Sequence, residues 1–205
     1  VMGSETDRRT TADAMRQHLE ESMTRLQVDY LDFYQIWNID SREHYEQAVA
    51  KGGLLDGIRA AMDEGLVGHT GFTTHDTVEN LLGYLPEVDW AETILFTYHL
   101  RSRSYAPAIA AAHAQGIATI VMNPMGGGTL AQPDPELEQL AAAVGAGSVP
   151  ELALRFLLSH ESIDTFICGI NTPVDVDAAL AAAARGPFTA EAMRAIASAV
   201  PGLSH

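Results

Sequence analysis

The sequence predicts an α/β protein built around a parallel β-sheet. Short β-branched runs alternate with amphipathic segments along almost the whole chain. Several of the runs are apolar nearly throughout, as strands covered on both faces tend to be. The segments between them carry apolar residues at three- and four-residue intervals, the spacing that lines one side of a helix. Strand–helix repeats of this length join parallel strands through right-handed crossovers. An open doubly wound sheet and a closed eight-strand barrel both satisfy the pattern, and periodicity does not separate them.

The chain enters on a helix. Thr11–Leu26 places Met15, Leu19, Met23 and Leu26 on one stripe, with Thr10 or Thr11 available to cap it. The first strand is expected at Tyr30–Trp37 (YLDFYQIW). Leu54–Glu64 groups Leu54, Leu55, Ile58, Ala61 and Met62, and Gly65 follows as a stop signal. Leu66–Phe72 is the second strand and Asp76–Tyr84 its helix. Thr93–His99 and Ala106–Gln115 form the third pair. Ile117–Asn123 is the fourth strand, after which Gln132–Glu138 (QPDPELE) reads as a loop entering a helix. Pro150–Ser159 is helical, Ser162–Gly169 is the fifth strand, and Thr172–Ala184 and Thr189–Val200 close the series. A first helix with no strand before it makes the alternation look cut on its N-terminal side.

Hydrophobic residues make up 47% and charged residues 19% of 205, which suits one soluble domain over residues 1–205. No apolar run approaches the roughly 18 residues of a membrane span. The start, Val1–Arg9, is too polar for a signal peptide. Cys168 is the single cysteine, which excludes an internal disulfide or a multi-cysteine metal centre in these residues and suits a cytoplasmic protein. A formal charge of -15 opposes binding to nucleic acids and anionic membranes. The bases are eleven arginines and one lysine, Lys51.

In either architecture ligands bind at the C-terminal ends of strands. Those tips carry Trp37–Asp40, Thr73–Asp76, Thr97–Leu100, Asn123–Thr129 and Gly169–Pro173. The triple glycine Gly126–Gly128 is the most informative, because bare backbone past a strand lets a ligand approach and its N–H groups can form an anion-binding concavity. The GxGxxG spacing of a Rossmann fingerprint is absent. A second candidate is Gly169–Pro173, where a helix N-terminus offers N–H groups to a phosphate. His75 and His99 follow neighbouring strands and could converge with Asp76 or Asp40, but no spacing typical of metal ligands supports a metal site.

With the strands placed, five stretches resemble aldo-keto reductases in order and spacing. Leu19–Ser22 with Leu26–Tyr34 is similar to the family's LExSLxxLxxDYxDxY passage, and Gly53–Leu55 with Gly65–Thr74 to its LexLxxeGkvrxiGxS passage. Tyr98-His99-Leu100 resembles a YNL ending, Val121–Gly128 an xxPLxGG turn, and Pro150–Leu158 with Ser162–Asn171 an ALxWxLxxpxvxxxixG stretch. The MxPxGGG form resembles a branch that often carries a C-terminal iron–sulfur module, for which one cysteine is too few. The resemblance implies a (β/α)8 TIM barrel, here as about five C-terminal βα units with the N-terminal units missing. It also implies hydride exchange between NADP(H), or NAD(H), and a small-molecule carbonyl substrate, using a tyrosine acid tuned by a lysine and an aspartate, plus a histidine.

Carried over residue by residue, the family pattern places that tyrosine, aspartate and lysine before Val1, and its histidine position holds Trp37, whose indole only donates. No catalytic residue is therefore expected here, and Lys51, in a loop before a helix, is not expected to replace the missing lysine. Cofactor contacts implied by the resemblance are Thr73 and Thr74 at the nicotinamide amide, and Met122 where an aromatic ring often stacks. Gly126, Gly127 and Gly128, with Asn123 and Met125 beside them, fall at the pyrophosphate. Gly169 and Asn171 fall at the adenosine phosphate. Asp175 stands where a basic or amide residue meets the 2′-phosphate, which puts NADP preference in doubt. The expectation is an NAD(P)-dependent oxidoreductase in a longer form, with unpaired barrel edges free to self-associate. The alternative is a non-catalytic relative that binds a nucleotide or a protein.

Overall fold

The computed structural model describes residues 10–200, so the expectation for Val1–Arg9 lies outside the described residues. The chain forms two compact units, one up to Ile94 and one from Leu95.

In the first unit, helix α1 (Ala12–Leu26) starts at Thr11, whose hydroxyl accepts the Ala14 N–H, and buries Met15 and Leu19. Strand β1 (Leu31–Ile39) leads to a short helix α2 (Arg42–Val49) capped by Ser41. Helix α3 (Leu54–Asp63) buries Leu55, Ile58 and Ala61, the stripe that its spacing predicts. Strand β2 (Val67–Thr74) and helix α4 (Val78–Tyr84), capped by Thr77, complete the unit apart from the first residues of β3 (Thr93–Thr97). Tyr45 of α2 stacks on Tyr84 of α4 at 4.4 Å, and Tyr84, Phe72, Ile58 and Leu19 are fully buried. Each such side chain contributes about 1.5–3 kcal/mol on leaving water. Helix α2 has no counterpart among the sequence expectations, because only Tyr45 and Ala48 of its eight residues are buried and its surface is charged.

In the second unit, β3 is followed by α5 (Ala106–Ala114), β4 (Ala118–Met122), a 3-10 segment (Gly126–Ala131), α6 (Pro135–Ala143), α7 (Val149–Leu158), β5 (Thr165–Ile167), α8 (Pro173–Arg185) and α9 (Ala190–Ala199). Asp134, Ser148, Thr172 and Thr189 cap α6 to α9 with their side chains. Phe96, Phe156, Leu152, Leu157 and Ile196 form its core.

The structure corrects the strand expectations, with the third strand ending at Thr97 rather than His99 and the fourth trimmed to Ala118–Met122. The first two strands run on past Trp37 and Phe72 to Ile39 and Thr74, across a register irregularity between Ile36 and Ile39. There Asn38 takes φ 58, the extra-residue geometry of a bulge. The fifth strand shrinks from Ser162–Gly169 to Thr165–Ile167. At its N-terminal end the Asp164 carboxylate accepts the Thr119 N–H at 2.7 Å and so takes a donor that a longer ladder would need.

The strands follow chain order in the sheet, β1-β2-β3-β4-β5, with β1–β2 and β4–β5 parallel. A doubly wound sheet reverses its order at a switch point. Unbroken order is that of successive barrel units.

Candidate functional site

The second unit holds a cleft of ≈ 480 Å³ at the C-terminal tips of β4 and β5. Its first wall is the turn after β4. Asn123 leaves the strand with φ 61, a conformation that asparagine tolerates better than most residues. Its carbonyl accepts the Gly126 N–H at 2.9 Å and its side-chain Oδ1 accepts the Gly127 N–H at 2.7 Å. Gly128 donates to the Met125 carbonyl at 3.0 Å, and the Thr129 hydroxyl donates to the Gly126 carbonyl at 2.9 Å. All three glycines have positive φ, at 57, 66 and 92.

The glycines do different jobs. A Cβ on Gly126 would lie 2.7 Å from Thr129 Oγ1 and 3.1 Å from His99 Cε1, so a side chain here would have to displace that hydroxyl and crowd the His99 ring. A Cβ on Gly127 would meet only Asn123 Oδ1 at 4.0 Å, and one on Gly128 would meet nothing. Those two leave backbone bare to the cleft. Their N–H groups are engaged inside the turn, so the anion-binding concavity expected from the sequence is not what the loop offers. It offers space.

The second wall is the β5–α8 turn. No atom lies within 4 Å of a Cβ built on Gly169, which leaves that backbone open as well. Thr172 and Asp175 form a reciprocal cap: the Asp175 carboxylate accepts the Thr172 N–H at 2.8 Å and the Asn171 N–H at 3.1 Å, while the Thr172 hydroxyl accepts the Asp175 N–H at 3.3 Å. Those bonds, from Thr172 first and then Asn171, hold the Asp175 carboxyl below its ordinary range. Amide groups expected to meet a phosphate are thus already bonded to a carboxylate.

Of the residues expected at a cofactor, Asn123, Met125, Gly127, Gly128, Gly169, Asn171 and Asp175 line this one cleft. Met122 ends β4 without reaching the wall, and Gly126 is turned toward His99. Sequence reasoning missed Leu154 and Glu151 of α7, Ile167 of β5 and Val174 of α8, which form much of the remaining wall. The available signal is the apolar face of α7, which by sequence alone reads as core. Among the described residues no cationic side chain lines the cleft. Arg155 donates to the Gly186 carbonyl at 2.8 Å, pairs with Glu151 at 3.2 Å and lies 4.0 Å above the Phe188 ring. Arg185 pairs with the same Glu151 at 2.8 Å.

The remaining expected residues belong to the first unit. Thr74 is fully buried; its hydroxyl donates to the Ile39 carbonyl at 2.8 Å and accepts the Asp76 N–H at 3.1 Å. Thr73 accepts the Asn38 N–H at 2.7 Å. Both threonines therefore fasten the tips of β1 and β2. Trp37 is 63% exposed. In the second unit, His99 has its Nδ1 accepting the Arg101 N–H at 3.3 Å, and burial lowers its pKa. Among the described residues no group of three or more His, Cys, Asp or Glu could hold a metal ion.

The cleft combines open glycine backbone at Gly127, Gly128 and Gly169 with apolar walls at Leu154, Ile167 and Val174. Its described residues supply no positive side-chain charge to phosphates.

Known proteins agree with the fold. Residues 2–201 match the aldo/keto reductase family. The aldo-keto reductase AKR11C1 from Bacillus halodurans, in its holo form, superposes with a TM-score of 0.76 at 22% identity, covering 93% of this chain and 65% of that one. MGS-M4, an aldo-keto reductase enzyme from a Medee basin deep-sea metagenome library, gives 0.75 at 16% identity, with 98% and 70% covered. An uncharacterized oxidoreductase of Schizosaccharomyces pombe is 26% identical over 151 residues, 73% of this chain. This chain spans 46% of that relative's length. Five parallel strands in chain order, matched to these structures over nearly all of its residues, make it a partial (β/α)8 barrel. The chain belongs to the aldo-keto reductase family.

Proposed function

We propose that this chain is the cofactor-side portion of an NAD(P)H-dependent oxidoreductase that interconverts a small carbonyl compound and its alcohol. The observation that supports it is the convergence of the Gly127–Gly128 backbone and the Gly169–Asn171 turn on one cleft at the strand tips. A nicotinamide dinucleotide would supply or accept the hydride. This chain's residues would hold it: Gly127, Gly128 and Gly169 let it lie against backbone, and Leu154, Ile167 and Val174 shield it from water. Asn123 and Met125 would set the loop that it rests on, and Asn171 would border its far end. Thr73, Thr74 and Met122 would act indirectly, by fixing the strand tips.

No residue at these tips stands at the family's tyrosine position, which would supply the proton that such a reduction needs. Trp37 stands at the family's histidine position, and its indole N–H donates a hydrogen bond but is no general acid or base near neutral pH. Activity is therefore assigned to a longer form of the protein that brings the missing acid, and the single domain 1–205 is read as N-terminally truncated. On its own this chain would bind without turning over. No helix among the described residues is long and apolar enough to cross a membrane, and a cytoplasmic setting is proposed.

Calorimetric titration of the full chain with NADH and NADPH tests the reading, together with a coupled assay of reduced-nicotinamide consumption on an aromatic aldehyde. Saturable binding without turnover supports it; no binding of either dinucleotide sinks it. The second reading, a non-catalytic nucleotide- or protein-binding relative, is favoured by Trp37 and Asp175. It predicts that a longer form also fails to consume reduced nicotinamide.

A further inference from the structure

Resting on the dinucleotide reading above, we infer that Asp175 makes the cleft select a dinucleotide with no added phosphate monoester over one that carries it. Three observations converge. The cleft is lined by two carboxylates, Asp175 and Glu151, and among the described residues by no cationic side chain. The two arginines that meet Glu151 are committed to fixed partners, Arg155 to Gly186 and Glu151, Arg185 to Gly145 and Glu151. The N–H groups of Asn171 and Thr172, the donors at the start of α8 that an anion would seek, are bonded to Asp175 itself.

Asp175 is thus a tethered anion sitting where a free one would bind. It satisfies the helix terminus and adds negative charge to the cleft at the same time. The Glu151 charge is offset by its two arginines, whereas no cationic side chain among the cleft residues offsets that of Asp175. A phosphate monoester brings a charge of about -1.5 to -2 at neutral pH. A cleft of ≈ 480 Å³ is only some 8 Å across if taken as a cube, about one Debye length at physiological salt. A monoester beside Asp175 in it feels that charge only partly screened and finds no cationic side chain among the cleft residues to compensate. In a water-exposed site this repulsion amounts to roughly five- to tenfold in affinity. The bridging pyrophosphate is common to both dinucleotides and cancels from the comparison.

The test is calorimetric titration of the intact chain and of D175N and D177N, with NADH and NADPH at fixed salt. D175N keeps an acceptor oxygen for the Thr172 N–H while removing the charge. Asp177 lies on the exposed side of α8 outside the cleft, so D177N changes net charge equally and serves as the control. Thermal midpoints verify that both variants fold. The expected result is NADH binding at least fivefold tighter than NADPH, with the gap closing in D175N, persisting in D177N and shrinking as salt rises. Equal binding, tighter NADPH, or a gap untouched by D175N overturns this inference while the dinucleotide reading stands. No saturable binding of either dinucleotide overturns both.

Discussion

Replacing Gly126 with alanine tests whether the glycine turn is built as described. Two costs add. The backbone sits at φ 57, where a Cβ crowds the following carbonyl at about 1–2 kcal/mol. The new methyl would also lie 2.7 Å from Thr129 Oγ1, displacing the hydroxyl that donates to the Gly126 carbonyl at 2.9 Å. Losing that bond costs about 0.5–1.5 kcal/mol. Steric relief of His99, 3.1 Å from the same position, can only add to the sum. G126A should therefore lose about 2–3 kcal/mol. G127A has a similar backbone, at φ 66, but only an ordinary contact at 4.0 Å, so it should lose about 1–2 kcal/mol. Urea denaturation followed by circular dichroism gives the difference between variants at a common slope. A G126A protein as stable as G127A would refute the close packing of His99 and Thr129 around this turn.

Other outcomes follow from the same structure. N123A removes the acceptor of the Gly127 N–H and places alanine at φ 61, so it should cost about 1–3 kcal/mol by urea titration. T74V leaves the buried Ile39 carbonyl and Asp76 N–H without their hydroxyl partner; a loss of about 1–3 kcal/mol is expected, with T73V milder. His160 is pushed below 6.5 chiefly by burial, aided by Arg103, while its Nδ1 bonds the Phe156 carbonyl at 2.7 Å and its Nε2 meets the Tyr98 hydroxyl at 3.3 Å. The unfolded chain then binds a proton more readily than the folded one, so stability is full above 6.5 and falls as pH drops toward the folded value. Denaturation midpoints compared between about pH 7 and about pH 5 should show this slope, and H160Q should flatten it. Finally, β1 ends the strand order and shows Phe33 at 52% and Trp37 at 63% exposure. An edge strand of this kind invites pairing, so light scattering should report association that F33K reduces.

Local chemistry was legible where one residue decides it. Thr11, Thr172 and Thr189 announce their helices by side-chain capping, and the Leu55–Ile58–Ala61 stripe fixes the buried face of α3. The cleft residues were legible as positions after strands. Their bonding was not, because it depends on side chains that turn back on the backbone. Asn123 closes on Gly127, Asp175 on Thr172, and Asp164 on Thr119, and each alters what a strand tip presents. The charge of a sequence says nothing about which amide it occupies. Helix α2 escaped for the opposite reason: with two buried residues it has too little periodicity to announce itself.

The bulge at Asn38 has a consequence for how this strand tip can vary. Below it, β1 and β2 advance in step; beyond it, Ile39 meets Thr74 one position out of phase. Everything past residue 38 is a half-turn out of alternation with the strand that carries it. A β-branched residue at 38 would be strained at φ 58, whereas deleting residue 38 would remove the extra residue, restore the ordinary phase and rotate the tip side chains to the other side of the sheet. The residues presented at this corner can thus be exchanged by a one-residue deletion, with the hydrophobic ladder beneath left in register.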